Sequence, residues 1–118
     1  MYTLHIESTG KGFGKNAEWQ RFDRQEVHGL ESMREVYAYL RKHYGTSKRS
    51  AMYRERKDGT SYRTGWVIGF RNAEWSHAPV EHWLQQDWIE LHTASAPVDL
   101  VLAAYRRSNY APRGGRRT

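Results

Sequence analysis

The sequence contains no cysteine, which excludes disulfides, thiolate zinc sites and cysteine nucleophiles together. Long apolar runs are also missing. The longest, near Val98–Ala104 and Trp66–Phe70, fall far short of the roughly 20 residues a membrane-spanning helix needs. The opening residues Met1-Tyr2-Thr3-Leu4-His5 show no cationic stretch leading into an apolar one. No signal peptide is therefore expected, and the expected location is the cytoplasm. Proline occurs only three times, and Ile, Leu and Val are sparse for a folded chain.

Large rings take the place of the missing aliphatics. Five Trp, eight Tyr and three Phe make 14% of the 118 residues, and each ring buries much area for one position. A core rich in aromatics follows, with some rings left over for a binding surface. With 38% hydrophobic and 27% charged residues the chain lies outside the disordered class. Its length suits one domain with a modest core.

The net charge of +6 is unevenly spread. Residues 1–40 are close to balanced at −1, and residues 41–65 reach +6. Residues 66–100 fall to −4, and the tail returns to +5 through Arg106, Arg107, Arg113, Arg116 and Arg117. Two basic segments flanking an acidic one point to a polyanionic partner or an acidic protein surface.

Hydrophobic periodicity supplies the elements. Tyr2–Glu7 alternates as a half-buried strand, and residues 18–28 suggest a second. From Ser32 to Tyr44 the spacing predicts a helix, since Met33, Val36, Tyr37, Leu40 and Tyr44 form one stripe. Ser32 and Glu35 make a capping box at its start, and Gly45 a stop at its end. Ala51–Lys57 and Ser61–Arg71 form a hairpin about Asp58-Gly59. In its second arm Tyr62, Thr64, Trp66, Ile68 and Phe70 share a face, while Gly65 and Gly69 on the other suggest close approach of a neighbouring backbone. Asp87–His92 reads as a last strand, and Ser95 with Pro97 opens a second helix with the stripe Val98, Val101, Leu102 and Tyr105. The predicted fold is α+β: a small antiparallel sheet of about five strands on one central helix, in a single domain over residues 1–105. A C-terminal helix and a basic tail over 106–118 complete it.

Several motifs fail on inspection. Lys11-Gly12-Phe13-Gly14 opens like the RNP1 motif of RNA-recognition domains, but Lys15 and Asn16 stand where aromatic and aliphatic residues are needed. A P-loop fails too, because no Ser or Thr follows Gly14-Lys15 and Thr9 occupies the place of the first glycine. A basic loop remains, with Lys11, Phe13 and Lys15 as candidate contacts. His77, His82 and His92 match no strong zinc spacing, and no metal or cofactor is expected. His5 with Glu7, and Glu55 with Lys57, share strand faces as acid–base work requires, yet alternating charge on a solvated strand produces the same pattern.

The middle basic segment carries the functional reading. Lys and Arg neutralise phosphates while rings stack on bases, so the interleaving of Tyr44, Tyr53 and Tyr62 with cations suits RNA or single-stranded DNA. The candidate contacts are Arg41, Lys42, Lys48, Arg49, Tyr53, Arg54, Arg56, Lys57 and Arg63, with the tail arginines Arg106, Arg107, Arg113, Arg116 and Arg117 adding affinity. The reading is non-enzymatic nucleic-acid binding. The alternative is a protein-binding module, a host-factor inhibitor or assembly component, using Trp75, Trp83 and Trp88 of the acidic stretch as anchors. A small nuclease using His5 or His82 is the second alternative. Finally, Gly65-Trp66-Val67-Ile68-Gly69-Phe70-Arg71 followed by Trp83-Leu84-Gln85-Gln86-Asp87-Trp88-Ile89-Glu90-Leu91-His92 resembles a pattern in small accessory proteins of actinobacteriophages. The resemblance implies a phage protein acting in a bacterial host cytoplasm, and it brings no assigned activity or site residues.

Overall fold

The computed structural model describes residues 1–12, 16–72, 83–94 and 96–101. Among these residues six strands and one helix follow in the order β1 (Tyr2–Lys11), β2 (Gln20–Leu30), α1 (Met33–Tyr44), β3 (Arg49–Glu55), β4 (Ser61–Asn72), β5 (Trp83–Thr93) and β6 (Ala96–Pro97). The strands form one antiparallel sheet in the order β2-β1-β5-β4-β3, with β6 added to β5. The α+β reading and its sheet of about five strands on one helix are what the chain adopts. Among the described residues no helix is long and apolar enough to cross a membrane.

Strand alternation sorts the sheet into two faces. Leu4 pairs with Leu91, Ile6 with Ile89, and Ile89 with Trp66, so these side chains share the face toward the helix. There Met33, Val36 and Leu40 of α1 complete the core with Ile68 and Leu100. The rings Tyr2, Tyr37, Tyr39, Tyr44 and Phe70 border that core rather than fill it, and among the described residues Trp66 is its one buried ring. The expectation of an aromatic centre is thus corrected: aliphatics occupy the middle, where interdigitation is tightest, and the larger rings close the sides.

The helix ends as its sequence dictates. Ser32 Oγ accepts from the Glu35 backbone N–H at 3.3 Å, while Glu35 Oε2 reaches back to the Glu31 N–H at 2.9 Å. At the other end Gly45, at φ 59°, donates to the Arg41 carbonyl at 2.8 Å. Tyr44 in the last turn donates its hydroxyl to buried Asp87 at 2.5 Å, and Gln85 Nε2 donates to the same carboxylate at 2.9 Å. Burial, followed by that hydrogen bond, pushes the Tyr44 phenol well above its ordinary range. The bond fixes the helix end to the central strand.

Two expectations are corrected by the backbone. Pro97 does not open a helix; it lies in β6 opposite His92, and Val98 donates to the Leu91 carbonyl at 2.9 Å. With extended pairing there, Leu100 enters the core while Val101 is 65% exposed. The predicted stripe through Val101 is therefore out of phase, and Leu102 and Tyr105 lie outside the described residues. Second, β4 does not keep one face. Met52 pairs with Gly65 but Tyr53 with Arg63, which leaves Thr64 as an extra residue in a bulge. The bulge removes Tyr62 and Thr64 from the stripe of Trp66, Ile68 and Phe70.

Gly65 accounts for the closeness of β4 to β5. A Cβ there would stand 1.8 Å from the Ile89 carbonyl oxygen, whereas at Gly69 the nearest atom is the Gln86 Cγ at 3.9 Å. The predicted backbone approach holds at the first glycine only. Gly65→Ala is expected to cost at least about 3 kcal/mol or to prevent folding, because the obstacle is backbone and cannot turn aside. Gly69→Ala is expected to change stability by less than about 1 kcal/mol. Urea denaturation of the two variants checks the contrast, and equal losses would contradict it.

Candidate functional site

The sheet face away from α1 carries a cleft of about 370 Å³. Alternation places His5 and Glu7 of β1 there, in register with Glu26 and Arg24 of β2 on one side. On the other side His5 pairs with Glu90 and Glu7 with Trp88 of β5. Met52 and Arg54 of β3 also line the cleft, together with His92.

Glu90 is the centre of this arrangement. Its side chain is only 6% exposed, yet each oxygen is matched. Arg54 gives a forked pair, Nε to Oε2 at 2.6 Å and Nη2 to Oε1 at 2.8 Å. The Thr64 hydroxyl donates to Oε2 at 2.9 Å, and His92 Nε2 lies 2.7 Å from Oε1. Because an ionised carboxylate only accepts, His92 Nε2 carries a proton and donates to it. Nδ1 of the same ring is buried without a partner among the described residues. Burial drives the Glu90 carboxyl upward, but the bonds from Arg54, His92 and Thr64 together outweigh it and bring the pKa down to about 2.

His5 extends the cluster. Its ring stacks on His92 with centroids 3.8 Å apart and an interplanar angle of 22°. Burial first, and the neighbouring His92 second, hold the His5 pKa below 6.5 against the opposing carboxylates of Glu26 and Glu90. His5 Nδ1 is 4.0 Å from Glu26, which also meets His28 Nε2 at 3.1 Å. Glu7 takes Arg24 at 3.2 Å and Arg21 at 3.4 Å in exposed pairs. Trp88 is 38% exposed although Ile89 and Glu90 beside it are buried. No three His, Cys, Asp or Glu side chains among the described residues are grouped to hold a metal ion. His92 faces Glu90 and His5 here, while His77 and His82 lie outside the described residues.

The basic residues named from sequence separate into two groups. Arg54 is committed to Glu90, and Arg56 pairs with Asp99 at 2.5 Å while its guanidinium lies 4.5 Å over the Tyr62 ring. Arg41, Lys42, Lys48, Arg49, Lys57 and Arg63 form no ion pair among the described residues. Arg49, Ala51 and Tyr53 alternate with Met52 and Arg54, so they lie on the opposite face from the cleft. Tyr53, 62% exposed, is directly across from Arg63, whose Nε donates to the Gly65 carbonyl at 3.4 Å. Arg49 Nε is buried without an acceptor among the described residues. Lys11 lies 5.3 Å over the Trp19 ring. Phe13, Lys15, Trp75 and the tail arginines Arg106, Arg107, Arg113, Arg116 and Arg117 lie outside the described residues, and of the Trp83 side chain nothing is described.

Sequence reasoning missed the Glu90 cluster as a unit. The available signal was Glu90 and His92 at strand spacing with Trp88 before them, but Arg54 and Thr64 join only through the β3-β4-β5 register.

Acid stability follows from Glu90. Its folded pKa is depressed from 4.5 to about 2, so its stabilisation is complete above 4.5 and is lost as pH falls from 4.5 through 2. His5, also depressed, opposes folding in the same direction once pH drops below 6.5. Urea denaturation between pH 5.5 and pH 2 is expected to show a loss on the order of 3 kcal/mol attributable to Glu90. Glu90→Gln is expected to be less stable at pH 5.5 and to lose less over the same range, keeping only the share that other groups such as His5 contribute. A wild-type acid limb that survives unchanged in Glu90→Gln would contradict this assignment.

No protein-family model, no curated protein and no solved structure matches this chain.

Proposed function

We propose that the chain is a non-enzymatic binder of single-stranded nucleic acid, RNA or DNA, and that β3 and the end of α1 provide the contact surface. The observation that carries this reading is Tyr53, a ring 62% exposed and set in register against Arg63. An exposed aromatic beside a cation fits a base with its phosphate: the ring stacks, and the guanidinium meets the charge. Six cations that form no ion pair among the described residues support it: Arg41, Lys42, Lys48, Arg49, Lys57 and Arg63. Arg41 and Lys42 occupy the last turn of α1, and the short connection through Lys48 leads from that turn to Arg49. Arg54 and Arg56 are outside this surface because their charges are met internally. The tail arginines would extend it. The actinobacteriophage resemblance of residues 65–71 and 83–92 fits an accessory role in a bacterial cell.

Such binding is dominated by counterion release. Six phosphate contacts to a single strand give a slope of log K against log salt near about −4. Arg49→Gln with Arg63→Gln should reduce its magnitude by about 1.4. Tyr53→Ala should weaken binding roughly tenfold at constant slope. Arg21→Gln, on the other face, should change neither. Fluorescence anisotropy with labelled oligouridylate and oligothymidylate at rising salt measures all four. Absence of binding at near-physiological salt, or equal effects from Arg21→Gln and the Arg49/Arg63 pair, would overturn the proposal.

A further inference from the structure

The cleft on the sheet face away from the helix has its own chemistry, separate from the Tyr53 surface. We propose that it binds a single guanine nucleotide, with the base stacked on Trp88 and the phosphate held by Arg24.

Size comes first. A volume of about 370 Å³ lies within the range of small-ligand sites, roughly 300–1,000 Å³, and accommodates one nucleotide. The walls are preorganised. Arg54, Glu90 and His92 form one hydrogen-bonded unit, with His5 stacked against it, so the cleft beside Trp88 has a rigid side. Trp88 is an exposed ring that lines the cleft, standing between Glu7 and Val67 in the register. A planar base is the ligand part that such a ring takes best.

Charge then selects the rest. Arg24 is the cation of the cleft that can be recruited, because Arg54 is held at a buried acid while Arg24 meets Glu7 in an exposed pair. Exposed pairs are weak and exchange readily. When Arg24 turns to a phosphate, Glu7 keeps Arg21, and Glu26, which does not pair with Arg24, loses nothing. Those two carboxylates are acceptors only, and a guanine edge carries adjacent N–H donors that suit them. A ligand with only an anion would ignore Trp88, and one with only a ring would leave Arg24 unused.

Calorimetric titration of the full chain with guanosine 5′-monophosphate, guanosine, uridine 5′-monophosphate and ribose 5-phosphate tests the proposal. Saturable binding of guanosine 5′-monophosphate is expected, at least about tenfold tighter than ribose 5-phosphate. Guanosine and uridine 5′-monophosphate should each bind more weakly. Trp88→Ala should weaken the nucleotide at least about tenfold. Arg24→Gln should weaken guanosine 5′-monophosphate and leave guanosine unchanged. Arg24 and Trp88 are exposed, and circular dichroism confirms that the variants fold. If Trp88→Ala does not, Trp88→Leu replaces it. No saturable binding at millimolar nucleotide, equal affinity for ribose 5-phosphate, or insensitivity to both substitutions would overturn the proposal. Arg49→Gln with Arg63→Gln should leave nucleotide binding unchanged, so this site and the oligonucleotide surface fail separately.

Discussion

One buried carboxylate organises the sheet. Glu90 sits on β5 where water scarcely reaches it, and a charge in such a place is costly unless partners surround it. The partners come from three strands: Arg54 from β3, Thr64 from β4 and His92 from β5 itself. The requirement reaches further, because Arg54 must pass β4 to arrive at β5. On β4, Gly65 lies between Met52 and Glu90 in the register, and a Cβ there would strike the β5 backbone. The bulge at Thr64 supplies the remaining hydroxyl. A bulge and an arginine thus serve one acid, and losing either exposes the cost of burying it.

That constraint also explains how the two faces divide. Met52 and Arg54 turn toward Glu90, so strand alternation sends Arg49 and Tyr53 to the other side. A basic segment that is continuous in sequence becomes, in space, an internal structural charge and an external surface. Counting cations along the chain overstates the surface, since Arg54 and Arg56 are already paired. The same holds for acids. Asp87 is buried with Tyr44 and Gln85, Glu90 with Arg54, and Asp99 meets Arg56.

What could be read from the sequence was local. The stripe of Met33, Val36 and Leu40 with its Ser32 cap defined α1, and Asp58-Gly59 defined the turn between β3 and β4, where Gly59 has φ 88° and Asp58 accepts from the Thr60 N–H at 2.9 Å. Period-two alternation found β1 and most of β5. What escaped is set by pairing between distant segments. The bulge at Thr64 depends on the β3 register, and Pro97 belongs to β6 because β5 offers Leu91 and His92 as partners, which no local preference encodes. The cleft likewise unites His5, Arg24, Arg54 and Trp88 from four strands.

The acidic stretch 66–100 therefore does not make an acidic surface over its described part. Asp87 and Glu90 carry their charges inside, each on a different face of β5, and Asp99 offsets a cation of the neighbouring hairpin. The field outside is shaped instead by Arg41, Lys42, Lys48, Arg49, Lys57 and Arg63, which no carboxylate among the described residues offsets. This weighs against the reading in which Trp88 anchors an interface made attractive by surrounding acids. On the cleft face Trp88 is flanked by Glu7, itself held by two arginines, so its surroundings are balanced rather than acidic. A ring in balanced surroundings with one exchangeable arginine beside it is suited to a small ligand that carries both a plane and a charge.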